Sequence, residues 1–502
     1  MSLSAAQIEK HQAALSKLIN TWLKDNPNPD STVNSATNSK PATPVQGDPA
    51  APKQVVTVAL RTRPFLESEV VDDKELLSGV HARGTKMIVH VPASKWSGPT
   101  IQHKSFEGDF SFGPESSSEH VYQSLVVRPG LLDTVLGGGV GCILAYGQTG
   151  SGKHKTYTIS ALEEIIARNI FPAAKSYAES HFPGSSIPAE GVYTFGVSLY
   201  ELLGNKVSDL LDRDEAGNGG NVEVAEDKFG GIRVSAKFVP VTNSSELASM
   251  IASAAGHRRT SATLKNETSS RSHCVLTITV TNTLVLSAEP GRLVLVDLAG
   301  SERAADRSAH TKDRMDESRL INTSLMALKD CVRGRALVEA ERSKKGEGKT
   351  GFQHIPYRSS KLTLALKPVF DVEATRNCKT VVIAHVSPHL VDAPHSNTPQ
   401  NTLTYVSPFR VTTTSQTNDS VPSPSAWTNE EFRDWVGKTS TKIDPAKLAP
   451  FESGKQMCEL EETVFIQQCL DSQKDGLVGT DKALTAKGAK AFYDKLWGLI
   501  CE

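Results

Sequence analysis

The stretch Leu144-Ala145-Tyr146-Gly147-Gln148-Thr149-Gly150-Ser151-Gly152-Lys153 limits what this chain can fold into more than any other. An apolar, strand-like lead runs into a glycine-rich turn with the spacing G-x-x-x-x-G-K. Glycines so placed let successive backbone N–H groups converge on one point, and the helix that follows aims its positive end there. The closing lysine adds a charge able to reach the outer phosphates of a nucleoside triphosphate. A strand–loop–helix unit of an α/β domain follows, with a nucleoside triphosphate and Mg²⁺ as the ligands to expect. A glycine-rich turn without a ligand is the plain alternative, and the apolar lead argues against it.

The loop departs from its usual form immediately after the lysine. A Ser or Thr hydroxyl belongs there, facing Mg²⁺, but the chain reads His154-Lys155-Thr156-Tyr157. Magnesium prefers hard oxygen donors at short range, so imidazole is a poor substitute. Two extra residues in a regular helix turn Thr156 by about 200° around the axis. Either the pair bulges out and Thr156 regains the metal position, or metal-assisted hydrolysis is weakened.

Two further motifs follow in order. Asn266-Glu267-Thr268-Ser269-Ser270-Arg271-Ser272-His273 sets hydroxyls beside a guanidinium ahead of a strand starting at Cys274. The apolar run Leu293 to Val296 ends in Asp297-Leu298-Ala299-Gly300-Ser301-Glu302. That is the form of a strand whose terminal carboxylate faces a metal while a following glycine N–H senses a terminal phosphate.

Taken together, these motifs resemble the kinesin motor family over most of Val55 to Val411. Arg61-Thr62-Arg63-Pro64 resembles the family's adenine-site element. Tyr357-Arg358-Ser359-Ser360-Lys361-Leu362-Thr363 is similar to its microtubule-contacting segment, and Ile321-Asn322-Thr323-Ser324-Leu325 to its relay helix. The resemblance implies that Arg61, Pro64 and Tyr157 flank adenine, with Arg63 in the same element. It places Thr156, Ser270 and Asp297 on the metal side, and Asn266 and Ser269 in the first switch. Gly300 would sense the terminal phosphate, while Arg271 and Glu302 would close the two switches as an ion pair. The implied activity is microtubule-stimulated ATP hydrolysis, located on the cytoplasmic cytoskeleton. A microtubule-binding scaffold weakened by His154-Lys155 is the alternative. An actin motor is disfavoured by Asp297 to Glu302, which has the kinesin form.

Residues Arg303 to Asn322 and the loop around Val89-His90-Val91-Pro92 resemble the kinesin-13 group, whose members remove tubulin from microtubule ends. The Lys-Val-Asp tip of that group appears here as Lys95-Trp96-Ser97. Candidate tubulin-facing cations are Arg358 and Lys361, with Arg342, Lys344, Lys345 and Lys349 just before them; Glu341 and Glu347 dilute the latter group.

Composition enters where partners are concerned. Lys plus Arg (55) balances Asp plus Glu (56), so no global basic excess argues for nucleic acid or an anionic membrane. The seven cysteines are scattered, with no C-x-x-C pair, which suits reduced thiols rather than disulfides or zinc. No apolar run approaches the ~20 residues of a membrane span, and a soluble intracellular protein is expected. The fold class expected is α/β: a P-loop domain with a central, mostly parallel or mixed sheet flanked by helices, plus a small C-terminal helical bundle. The divisions are an amphipathic helix (1–25), a polar linker (26–53), the motor-like domain (54–411), a second linker (412–425) and the helical segment (426–502). The last resembles a sterile alpha motif domain, which implies a protein partner or self-association. No long heptad run predicts a coiled-coil stalk.

Overall fold

The computed structural model describes residues 3–28, 54–70, 76–153, 158–214, 219–228, 230–264, 271–285, 288–300, 312–345, 355–370, 376–393, 399–410, 424, 427–458, 460–474, 476 and 483–501. The chain divides into two compact units, Met1–Val411 and Thr412–Glu502.

The first unit opens with helices α1 (Ala5–Lys10) and α2 (Gln12–Asp25), then β1 (Gln54–Thr62). A meander of β2 (Val80–Arg83), β3 (Lys86–Lys95) and β4 (Gly98–Glu107) is followed by β5 (Phe110–Phe112), α3 (Ser118–Tyr122), α4 (Leu131–Leu136) and β6 (Val140–Gly147). Next come α5 (Ile159–His181), β7 (Tyr193–Leu203), β8 (Lys206–Arg213), β9 (Gly219–Asn221), β10 (Val224–Glu226), β11 (Ile232–Val234), β12 (Val239–Val241) and α6 (Ser244–Leu264). The unit continues through β13 (His273–Asn282), β14 (Gly291–Asp297), α7 (Lys312–Lys345), α8 (Lys361–Ala365), α9 (Lys367–Phe370), β15 (Cys378–Val386) and α10 (Pro399–Val406).

The main sheet runs β5-β1-β15-β6-β14-β13-β7-β8-β9, with β12 also paired to β7. Its centre is parallel, with β6 between β15 and β14, whereas β13 runs antiparallel to both β14 and β7. The sheet is therefore mixed, as expected. Every residue of β6 is buried, because a parallel strand covered on both faces needs apolar side chains on both. Alternation sends Cys142, Leu144 and Tyr146 into a core with Leu328, Phe370 and Phe409, and sends Ile143 and Ala145 into another with Leu162, Ile166 and Leu247.

The N-terminal helical stretch breaks at His11 instead of running continuously. Ile8, Leu15 and Ile19 are buried in a cluster with Leu3 and Leu390, while Leu18 is exposed. Burying each such side chain favours docking by ~1.5–3 kcal/mol relative to leaving it in water. Trp22 adds an aromatic contact, stacking on His103 at 4.8 Å and meeting His90 edge-on at 5.0 Å. Thus the amphipathic face is covered by the β2–β3–β4 sheet of its own chain.

The second unit contains α11 (Asn429–Thr439), α12 (Pro445–Leu448), α13 (Gly454–Cys458), α14 (Glu462–Asp471) and α15 (Ala486–Cys501). Thr428 caps α11 through a reciprocal pair with Glu431, satisfying donors that helical geometry leaves open. Trp427, Phe432, Phe465, Phe492 and Leu496 share a separate core. Phe451 and Val464, although apolar, are exposed. Phe451 sits in a turn and Val464 on the outer side of α14, so neither reaches the core.

Candidate phosphate-binding site

Strand β6 ends at Gly147, and the backbone forces a glycine there. A Cβ at this position would lie 2.3 Å from the carbonyl oxygen of His385, its cross-strand partner on β15. Gly150 (φ +82°) and Gly152 (φ +98°) take left-handed conformations that side chains avoid. The Ser151 hydroxyl and its backbone N–H both bond Gln148 O, at 2.7 and 3.2 Å, which curls the loop upon itself. A Cβ added to Gly150 would meet nothing within 4 Å, so the loop's outer side is open.

Arg63 braces the loop from below. Its Nε donates to Gly150 O at 2.7 Å and its Nη atoms clamp the Glu69 carboxylate at 2.5 and 2.8 Å. Hydrogen bonds from Arg63 and Leu66 overcome the cost of desolvation and hold Glu69 down at about 2. Arg61, 5% exposed, donates to Thr158 Oγ1 at 2.8 Å and to Ser116 O at 3.3 Å. Both arginines of the R-x-R-P element are thus tied into the framework around the loop, and Pro64 follows them at half-exposure.

Lys153 is 4% exposed and donates from Nζ to Leu298 O at 3.0 Å. That contact joins the glycine loop to the end of β14. The strand register places Asp297 opposite Ala145, and Leu298 N–H bonds Ala145 O at 3.0 Å. The structure therefore brings together Gly147 to Lys153 and the strand end at Asp297, while Gln148 and Thr149 lie in the turn and buried Gly300 follows three residues after Asp297. Asn266, Ser269, Ser270, Glu302, His154, Thr156 and Tyr157 lie outside the described residues. Arg271 stands half-buried just before β13.

Three residues that the motifs did not reveal surround Asp297. Arg258 of α6 donates to Asp297 Oδ2 at 2.6 Å and to Ser272 O at 2.8 Å, and its Nε is 3.5 Å from Glu201. Glu201 also accepts a short hydrogen bond from the Ser272 hydroxyl. Glu163 of α5 faces the same charges; desolvation, followed by the Asp297 charge, pushes its carboxyl up to about 8, with Arg258 opposing. No sequence signal announces this cluster, because α6 and β7 are distant from the motifs and join them only through sheet packing. A buried guanidinium does demand carboxylates, but that demand is visible only once burial is known.

The residues present fit a triphosphate: an open glycine cradle, a lysine amine at its mouth and a carboxylate at the adjoining strand end. Of the expected metal-side groups, Asp297 is the one within the described residues.

The segment after Asp297 is also tied to helix α7. His273 Nδ1 accepts from the Ala299 N–H at 3.0 Å, and His273 Nε2 lies 2.8 Å from Ser324 Oγ. The Ser324 hydroxyl donates to Ile321 O at 2.7 Å. Tyr405 stacks on Tyr146 at 4.1 Å and donates to Leu325 O at 2.6 Å, which binds α10 to the same helix.

Among the anticipated filament-facing cations, Arg358 and Lys361 meet the β10–β11 hairpin. Arg358 Nε donates to Glu226 at 2.8 Å although its side chain is 80% exposed, and Lys361 Nζ donates to Val224 O at 2.7 Å. Lys367 also donates to Glu226 at 2.9 Å, and the two hydrogen bonds lower that carboxyl to about 2. Lys344 and Lys345 occupy the end of α7, with their side chains outside the described set.

Comparison with known proteins agrees with this geometry. The kinesin motor domain family matches residues 61–411. Diatom spindle kinesin-1 from Cylindrotheca fusiformis is 32% identical over 354 residues, covering 70% of this chain and 50% of that protein. Kinesin-like protein KIN-14H from Arabidopsis thaliana is 35% identical over 345 residues, covering 68% and 29%. The matched segment thus spans half or less of these relatives. The solved C-terminal motor and motor homology domain of Kar3Vik1, fused to a synthetic heterodimeric coiled coil, is 26% identical with a TM-score of 0.52, covering 71% of this chain and 85% of that one. The motor domain of the Kar3-like kinesin from Ashbya gossypii, at 22% identity and a TM-score of 0.50 over 71% and 99%, shares the fold. These findings correct the subgroup: relatives with KIN-14 names replace the kinesin-13 likeness read from residues 303–322. The family match also ends at Val411, so the sterile-alpha-motif likeness of the C-terminal helices draws no support from it. With an open glycine cradle joined through Lys153 to the strand end that carries Asp297, and a family match over 61–411, this chain belongs to the kinesin motor domain family.

Proposed function

We propose that this chain is a microtubule-binding motor ATPase that couples loss of the terminal phosphate of ATP to movement along the filament. The observation that carries this reading is the Lys153 Nζ to Leu298 O contact, which links the phosphate loop to the segment following Asp297. Bound ATP would supply the phosphoanhydride to be cleaved, with Mg²⁺ neutralising its oxygens. Lys153 would exchange its carbonyl partner for phosphate oxygens, and the N–H groups of Gly150 to Lys153 would orient them. Arg258 fixes the position of Asp297 through its hydrogen bond to Oδ2, and Gly300 would report the terminal phosphate. Arg271 would close on Glu302 to exclude bulk water. Most of the acceleration would come from positioning and charge stabilisation. Arg358 and Lys361, braced against the β10–β11 hairpin, would face acidic tubulin and lose affinity as salt rises. Lys95-Trp96-Ser97 at the β3–β4 turn and the KIN-14 names of relatives favour lattice movement over end depolymerisation.

The insertion of His154 and Lys155 motivates a second reading, a filament-binding scaffold that hydrolyses ATP slowly. Phosphate release by the full chain, with and without microtubules, separates the two. Stimulation of about tenfold or more supports the motor. Equal rates with retained co-sedimentation support the scaffold. Deleting His154 and Lys155 should then restore stimulation. Absence of binding to both ATP analogues and microtubules overturns both readings.

A further inference from the structure

His273 sits where three segments meet. It closes the first switch motif and begins β13, and the residue is 2% exposed. Nδ1 accepts the Ala299 N–H at 3.0 Å, within the segment that carries Asp297 and Gly300. Because that nitrogen is an acceptor, the neutral ring carries its proton on Nε2, which donates to Ser324 Oγ at 2.8 Å. The Ser324 hydroxyl proton is committed in turn to Ile321 O, one turn earlier in α7. Every polar atom of the link has one role, and only one tautomer satisfies them all. Burial, assisted by the Lys153 charge, lowers the ring to about 3, so the tautomer persists at neutral pH.

We propose that His273 is a positioning residue that couples the Ala299 amide to helix α7, so that displacement of the Asp297 to Gly300 segment is delivered to the helix through Ser324. The proposal rests on the motor reading for its functional consequence, but the mechanical link can be tested apart from it. A buried hydrogen bond stretched by movement at one end costs free energy until the other end follows, and this drives the helix to move. Packing of Ile321 and Leu325 is non-directional, whereas the hydrogen bonds through His273 fix the helix relative to the strand end in a defined geometry.

The test uses the full chain and four variants. Ser324→Ala removes the helix end of the link with a good helix former in its place. Ser324→Thr keeps the hydroxyl. His273→Asn retains an acceptor near the Nδ1 position but cannot reach Ser324. The fourth is the His273→Asn/Ser324→Ala double variant. Amide exchange of Val294 to Gly300 and of α7 is followed with and without a non-hydrolysable ATP analogue, alongside basal and microtubule-stimulated turnover. In wild type the analogue should alter protection in both segments, but in Ser324→Ala and His273→Asn only in Val294 to Gly300. Stimulated turnover should fall by at least about fivefold in both single variants while basal turnover of Ser324→Ala stays within about twofold, Ser324→Thr should recover, and the double variant should match His273→Asn. The proposal is overturned if α7 in Ser324→Ala responds to the analogue as in wild type, or if basal and stimulated rates of Ser324→Ala fall together. A wild-type chain that microtubules do not stimulate would refute the motor reading, while the exchange data would still decide the link.

Discussion

Around Asp297 three carboxyl groups compete for one guanidinium. Arg258 reaches Asp297 and Glu201, leaving Glu163 with a raised affinity for its proton. A carboxyl whose folded-state pKa is near 8 rather than its ordinary value of 4.5 helps stability fully below 4.5 and loses that help as pH rises through 8. Glu163→Gln should therefore raise the melting temperature at pH 8, by about 2 °C or more, and leave it unchanged near pH 4. Thermal melts at the two values check this, and an equal shift at both would show that the charge is not the cause. None of this cluster could be read from motif spacing. Asp297 was recognisable as the polar end of an apolar run, whereas Arg258 was one polar residue among several on α6. Only the pairing of Cys274 with Asp297 brings the strand end within reach of the arginine.

At the level of elements, the N-terminal helices illustrate what periodicity can tell. Apolar residues from Ile8 to Leu23 mark a buried face, but not the surface that buries it. The structure assigns that surface to the β2–β3–β4 sheet and to Leu390, with Trp22 over His90 and His103. Trp22→Ala removes both ring contacts and part of the buried area, costing about 2 kcal/mol. Hydrogen exchange should show lost protection in α2 with little change in β6 or β15, since docked segments open locally before the core does. Uniform loss across the sheet would contradict this. Conversely, the strand leading into the glycine loop was legible from Leu144-Ala145-Tyr146, while its extension back to Val140 and its place in the covered, parallel middle of the sheet came from the structure. The second unit was legible only in part, because an aromatic residue such as Phe451 has the composition of a core and the position of a turn.

Across the whole molecule, histidine distribution sets the response to acid. All fourteen histidines precede Thr412, so the second unit has none. Burial lowers His90, His273 and His385 to about 3. Neighbouring charges contribute to that lowering, His81 acting on His90, Lys153 on His273, and Arg61 ahead of Lys153 on His385. Each is neutral when folded and titrates near its ordinary value of 6.5 when unfolded. The unfolded chain therefore binds more protons between pH 6.5 and 3, and stability is lost as pH falls through that window. Three such groups give a slope approaching 4 kcal/mol per pH unit near pH 5, from about 1.4 kcal/mol for each. Since domains are typically stable by about 5–15 kcal/mol, the first unit should unfold between about pH 6 and 4 while the second retains its helices. Denaturant midpoints measured from pH 7.5 to 5 check this, and a flat profile would contradict it.

The order of motifs along the chain determined by itself that a glycine loop, a hydroxyl-rich switch and a strand ending in Asp297 belong to one α/β machine. Those features depend on local backbone geometry and on apolar runs, both of which are written residue by residue. Tertiary structure alone decided which charges meet at Asp297, what covers the N-terminal helices and how His273 joins Ala299 to Ser324. Each of these depends on residues distant in sequence being brought within about 3 Å, the range at which hydrogen bonds and ion pairs act, and strand register and helix packing, not local pattern, set that distance.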